Sequence, residues 1–182
     1  MTLILVSDVF GITPALIEFG KIVNAEIIAD PYGGENLGFQ SEAEAYSYFT
    51  EHVGLEAYHS IILELTLTAP LSSTLIGFSV GATVVWRLSG NSSVKNISRA
   101  ICFYGSQIRK FRSVNPLFDV TLIFPVSEPH FDVVELQEEL SSKRNVKIQK
   151  SNVYHGFMNA YSNNFNRAVY ENHIEWLNLN LS

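Results

Sequence analysis

Short apolar runs alternate along this chain with longer amphipathic stretches, and few folds accommodate that alternation. "LILVS" from Leu3, "AEIIAD" from Ala25, "STLIGFS" from Ser73, "RAICFYG" from Arg99, "DVTLIFPVS" from Asp119 and "NVKIQK" from Asn145 read as strands. Between them lie helical patterns. "TPALIEFGKIV" carries Thr13 as N-cap and Pro14 at its first turn. "SEAEAYSYFTEHV" opens on Ser41 with Glu44 three residues later, resembling a capping box. "VGATVVWRLSG" closes on Gly90, "DVVELQEELSSK" follows the fifth strand, and a last helix covers roughly Asn164 to Asn178. The stretch from Leu55 to Thr68 is mixed: Ile61, Ile62 and Leu65 are spaced as on a helix, while its threonines favour extended structure. Strands that alternate with helices imply βαβ units, and near-continuous apolar strands imply burial on both faces of a parallel sheet. The expectation is an α/β fold in three layers, with about six parallel strands and one domain spanning residues 1–182.

Charge and composition narrow the function. The net charge is −6 and the acidic residues are scattered, so nothing resembles the basic footprint of a nucleic-acid binder. The nearest basic cluster, "RKFR" at Arg109 to Arg112, reads as a solvated loop or helix end. The single cysteine, Cys102, excludes an internal disulfide and reads as a buried, inert thiol. The N-terminal "MTLILVSDVFG" reads as a first strand and not as a leader, and no run approaches the roughly 20 apolar residues of a membrane span. No membrane partner and a cytoplasmic location are therefore expected. His52, His59 and His173 sit in helical stretches and are expected to be exposed, as is His130. No His, Cys or carboxylate pair has metal-ligand spacing, and there is no phosphate-cradling or dinucleotide loop, so neither a metal nor a cofactor is expected.

In an open α/β sheet, ligands bind beyond the carboxyl ends of the strands. The polar residues falling there are Asp8 after the first strand, Asp30 and Tyr32 after the second, and Ser79 after the third. "SEPHFD" follows the fifth, and "NVYHGF", with His155, follows the sixth. A serine, an acid and a histidine thus share one sheet edge, in that chain order. Serine hydroxyl needs a base to take its proton, neutral imidazole supplies one near neutral pH, and a carboxylate on the far ring nitrogen fixes the tautomer. The glycines of Gly77-Phe78-Ser79-Val80-Gly81 allow a sharp strand-to-helix turn that would leave Ser79 exposed above the sheet. The same turn puts the Val80 amide at a helix N-terminus, where it can donate to an oxyanion.

Three stretches, "LVSDVFGITPAL", "LIGFSVGA" and "YHGFMNAYSNNFN", together with "IIADPYGG", resemble the dienelactone hydrolase branch of the α/β-hydrolase superfamily. The resemblance spans almost the whole chain. It implies Ser79 as nucleophile, His155 as general base, and the Val9 backbone N–H as the second oxyanion donor beside Val80. Asp8 falls where the family places an acidic residue near the nucleophile. Where relatives carry a Gly-rich turn ending in Asp, "FPVSEPHFD" has no glycine; Glu128 stands at the matching place and is the favoured triad acid, with Asp132 as the fallback.

At this length the expected fold is a minimal form with no lid domain. The loops "PYGGENLGFQ" and "GSQIRKFRSVNPLFD" are expected to form most of the pocket wall. Asp8, Phe10, Tyr32, Phe78, Tyr104 and Phe157 are the expected lining, suited to a small, weakly charged acyl substrate. The expected function is a serine hydrolase for a carboxylic ester, lactone or thioester. The alternatives are a non-catalytic binding protein on the same fold, or an acyl transferase using the same site. Sequence leaves the oligomeric state open.

Overall fold

The structure, a computed structural model, describes residues 2–181. Six strands form one sheet: β1 (Leu3–Val6), β2 (Ile27–Ala29), β3 (Ser73–Phe78), β4 (Ile97–Phe103), β5 (Asp119–Phe124) and β6 (Val146–Lys150). Their order is β2-β1-β3-β4-β5-β6, and every pairing is parallel. The helices are α1 (Pro14–Ile22), α2 (Glu42–His52), α3 (Gly54–Thr68), α4 (Val80–Ser89), α5 (Val133–Ser141) and α6 (Arg167–Leu181). A short 3-10 helix, Ser106–Lys110, follows β4 and occupies part of the predicted pocket loop.

Side chains alternate across the sheet as strand geometry requires. Ile4, Val6 and Leu75 pack with Phe49, Tyr58, Val84, Trp86 and Leu136 from α2, α3, α4 and α5. Leu3, Leu5, Ile76 and Phe103 face the opposite side, against Phe19 of α1 and Leu177 of α6. The three layers follow from this: helices cover both faces, and the central strands β1 and β3 are buried along their whole lengths. No lid domain interrupts the sheet among the described residues.

Local chemistry sets the helix ends. Thr13 Oγ1 accepts from the Leu16 N–H, and Ser41 accepts from the Glu44 N–H. The Glu44 carboxylate reaches one residue further back than a capping box requires, accepting from the Gln40 N–H at 2.8 Å. The mixed 55–68 stretch is helical. Its threonines are accommodated because Thr66 and Thr68 turn their hydroxyls onto the carbonyls of Leu63 and Leu65. The last helix starts at Arg167, later than expected, because the Asn166 side chain accepts from the Val169 N–H.

The chain leaves β1 toward β2 on one side and returns to build β3 to β6 on the other. β1 and β3 are therefore neighbours whose following loops diverge, and a crevice opens between them. Asp8 and Val9 follow β1, and Ser79 follows β3.

Candidate active site

Ser79 occupies the turn between β3 and α4 with φ 51° and ψ −113°, a left-handed backbone that a non-glycine residue adopts only where its surroundings enforce it. Close packing enforces it here. A Cβ on Gly77 would stand 2.8 Å from the Ala82 backbone, and one on Gly81 would collide with the carbonyl oxygens of Val6 and Ser7. The two glycines let α4 press against β1 and β3, and the serine is lifted between them. The Ser79 N–H donates to the Phe103 carbonyl at 3.0 Å, which fixes the turn to β4.

Ser79 Oγ lies 3.0 Å from His155 Nε2, and His155 Nδ1 lies 2.7 Å from Glu128 Oε1. The sheet edge thus brings together Ser79, His155 and Glu128 in one hydrogen-bonded line. His155 is held by its own loop: the Asn164 amide donates to its carbonyl at 2.8 Å, and Gly156 turns with φ 88° where a side chain would strike Ser162. The Tyr104 ring packs against the imidazole, centroids 4.9 Å apart. Burial alone would lower the His155 pKa; the Glu128 hydrogen bond and charge overcome it, with help from Glu42 and Asp8, and the net direction is upward.

Asp132 takes another place. It is exposed, and its Oδ1 accepts from the N–H groups of Val134 and Glu135 at 2.8 and 3.1 Å, capping α5. The fallback acid is therefore a helix cap with no contact to His155, and Glu128 holds the position beside the imidazole.

Val9 and Val80 flank Ser79, and among the described residues neither backbone N–H has a hydrogen-bond partner. The Val9 loop is braced from both sides. Tyr32 Oη donates to the Val9 carbonyl at 2.7 Å, and Asp8 Oδ1 accepts from the Phe10 N–H at 2.9 Å. Asp8 Oδ2 accepts from Asn159 Nδ2 at 2.6 Å, so its carboxylate is engaged by these two donors and makes no hydrogen bond to Ser79. Burial pushes the Asp8 pKa up to about 6, against the pull of those two donors.

Of the predicted lining, Asp8, Phe10 and Tyr104 surround the small space beside Ser79. Two expectations are corrected. Tyr32 braces the Val9 loop and packs its ring on Phe39 and Tyr48, while Phe157 is fully buried between Phe103 and Tyr104. Phe78 lines a separate cavity between α1 and α6. The open cleft over Ser79, of about 750 Å³, is walled instead by polar residues such as Glu42, Arg109, Lys110, His130 and Tyr154. His173 is not exposed; it packs on Phe103 and Phe157 at 5.4 Å, and its Nδ1–H donates to the Val169 carbonyl. His59 is also half-buried. Cys102 is buried, and burial raises its thiol pKa.

Two contributors had no signal in the sequence beyond local ones. Glu42, legible only as a first-turn helix acid, brings Oε1 within 4.0 Å of His155 Nε2. Asn159, the last residue of "HGFMN", ties the histidine loop to Asp8. Among the described residues, no group of three or more His, Cys, Asp or Glu is placed to hold a metal ion, and no helix is long and apolar enough to cross a membrane.

No protein-family model matches the chain. It is 33% identical over 175 residues to YczH of Bacillus subtilis (strain 168), described as an uncharacterized protein, with 92% of this chain and 85% of that one covered. Among solved structures it superposes on dienelactone hydrolase from Anabaena variabilis with a TM-score of 0.64 at 14% identity, over 97% of this chain and 85% of that one. The carboxylesterase of Bacillus cereus gives a TM-score of 0.57 at 16% identity, over 98% and 87%. Est1E from Butyrivibrio proteoclasticus gives 0.62 at 11%, over 99% and 88%. At these identities the likeness is one of architecture: the fold is the α/β-hydrolase fold.

Proposed function

We propose that this chain, which belongs to the same family as Bacillus subtilis YczH and has the α/β-hydrolase fold, is a serine hydrolase cleaving a carboxylic ester, lactone or thioester. The observation that carries the reading is the unbroken line from Ser79 Oγ through the His155 ring to Glu128, at 3.0 and 2.7 Å.

In this mechanism Ser79 Oγ attacks the substrate carbonyl carbon as its proton passes to His155 Nε2. Negative charge gathers on the carbonyl oxygen, between the unpartnered N–H groups of Val9 and Val80. Glu128 stabilises the imidazolium and holds the neutral tautomer with its proton on Nδ1. Collapse of the tetrahedral intermediate breaks the bond to the alcohol or thiol, which takes the proton from Nε2. Water then attacks the acyl-Ser79 ester with His155 again as base, and the carboxylic acid leaves. Losing one oxyanion donor typically costs about 2.7–4 kcal/mol of transition-state stabilisation.

The test is labelling by a fluorophosphonate probe beside hydrolysis of p-nitrophenyl acetate and butyrate, for wild type, Ser79→Ala and His155→Ala. Fast labelling and turnover that vanish in both variants are expected. Wild-type activity equal to that of Ser79→Ala across these substrates would remove the enzyme reading and leave a binding protein on a hydrolase fold.

A further inference from the structure

A second cavity, of about 210 Å³, lies between α1 and α6, on the sheet face opposite α3. Leu16, Phe19, Phe78, Met158, Phe165 and Tyr170 make it apolar. Its inner wall is Asp8, Tyr104 and Asn159, and those three also border the small space beside Ser79 and His155. Its outer rim carries the exposed Glu18 and Arg167.

Tyr104 sits where the cavity meets the site. Its hydroxyl is the buried side-chain polar atom that finds no hydrogen-bond partner among the described residues, and the residue is only 1% exposed. The Met158 amide is close but lacks hydrogen-bond geometry. Buried hydroxyls are almost always satisfied, so an orphan on a residue that lines both the apolar cavity and the space beside Ser79 points to an acceptor arriving with a ligand. The volume suits a compact group, since an engineered apolar cavity of roughly 150 Å³ holds benzene.

We propose that the α1–α6 cavity is the acyl pocket of the Ser79 site, taking a short apolar acyl group that carries one acceptor oxygen, such as an oxoacyl or alkoxyacyl ester or a lactone ring, with the Tyr104 hydroxyl donating to that oxygen. The inference rests on the serine-hydrolase reading. With the carbonyl oxygen between the Val9 and Val80 amides, the acyl substituent faces the wall of Asp8, Tyr104 and Asn159. The leaving group points into the large polar cleft lined by Arg109, Lys110 and Tyr154. The Asp8–Asn159 hydrogen bond, 2.6 Å long, joins two residues of this shared wall, and in the proposal it parts as the acyl group enters.

Two measurements test this, one of them independent of turnover. The first titrates 2-heptanone, an unhydrolysable chain with one acceptor oxygen, followed by amide shifts in NMR. The second is the kcat/KM ratio of p-nitrophenyl hexanoate to acetate. Ala15→Phe and Ala160→Trp fill the cavity from half-buried and exposed positions, and Tyr104→Phe removes the donor. Each filling variant is expected to weaken ketone binding and lower the hexanoate-to-acetate ratio at least tenfold, and Tyr104→Phe to weaken ketone binding at least threefold. Active esterase whose ratio and ketone shifts are the same in wild type and both filling variants would overturn the pocket and leave the hydrolase reading standing. Ketone binding lost on filling, in a protein that hydrolyses no ester, would keep the cavity as a ligand site but overturn its acyl role and the hydrolase reading together.

Discussion

Glu128 and Asp132 are four residues apart, yet only Glu128 reaches His155, with Oε1 2.7 Å from Nδ1. The Glu128 side chain is 8% exposed, so its bond to the imidazole is shielded from competing water. Glu128→Gln preserves shape but removes the charge and favours the wrong histidine tautomer. A loss of about 10⁴ in kcat is expected, the scale seen when a triad acid becomes its amide. The check is p-nitrophenyl acetate turnover with protein whose unfolding midpoint is unchanged.

Asp132→Ala should do the reverse. Removing an N-cap that satisfies two α5 amides typically costs about 0.5–2 kcal/mol of stability. Urea unfolding should show that loss while kcat/KM stays within about twofold of wild type. A steep loss of turnover without loss of stability would move the acid to Asp132.

The pH profile follows from the same geometry. In the proposed mechanism His155 serves as base only when neutral, and its pKa is raised above the ordinary histidine value of 6.5. Activity should therefore fall as pH drops through a limb lying above 6.5. In Glu128→Gln the burial that opposes the charge is left dominant, and the limb of the residual activity should move to lower pH. A profile of kcat/KM against pH for both proteins decides it; coincident limbs would separate Glu128 from the titration of His155.

The parts of this molecule that were legible in the sequence are those set by local pattern. Strand runs, Thr13 and Ser41 caps, and the Gly77–Gly81 turn each depend on residues within a few positions of one another. The candidate residues Ser79 and His155 stand out because one sits in a glycine-flanked turn after the third strand and the other follows the sixth strand in the "HGFMN" segment that carries the family resemblance. What was not legible is set by tertiary approach. Glu42 reads as a helix-starting acid until α2 is folded over the site, and Asn159 and Asp8 are separated by 151 positions before their side chains meet. Phe157 beside His155 suggested a pocket wall, but the positive φ of Gly156 turns the chain so that Phe157 enters the core. The threonines of α3 misled for a third reason: their hydroxyls find carbonyls inside the helix, which β propensity does not count.

Gly81→Ala should be among the most damaging small substitutions in the chain. Its methyl would overlap the Val6 and Ser7 carbonyl oxygens, which belong to a fully buried strand end and cannot retreat. Overpacking of this kind costs about 1–3 kcal/mol where neighbours can shift, so the upper end is expected here. Circular-dichroism melting checks it, with Gly33→Ala as the contrast in open space, where only backbone strain at φ 69° applies.

Asp8 offers a test that reads folding instead of turnover. Its carboxyl is raised from 3.8 to about 6 because burial outweighs the hydrogen bonds from Phe10 and Asn159. The folded chain therefore holds this proton more tightly than the unfolded chain does. The stability linked to it is fully present below the unfolded value near 3.8 and is lost as pH rises through about 6. The difference corresponds to about 3 kcal/mol at most, less in practice because Asp8 is only partly buried. Asp8→Asn keeps an acceptor for the Phe10 N–H and cannot ionise. Urea midpoints of the two proteins, compared at about pH 4.5 and 7.5, should show wild type losing ground to Asp8→Asn at the higher pH. A gap that stays constant across that interval would mean that Asp8 is already ionised at the lower pH, with Asn159 and Phe10 holding its charge.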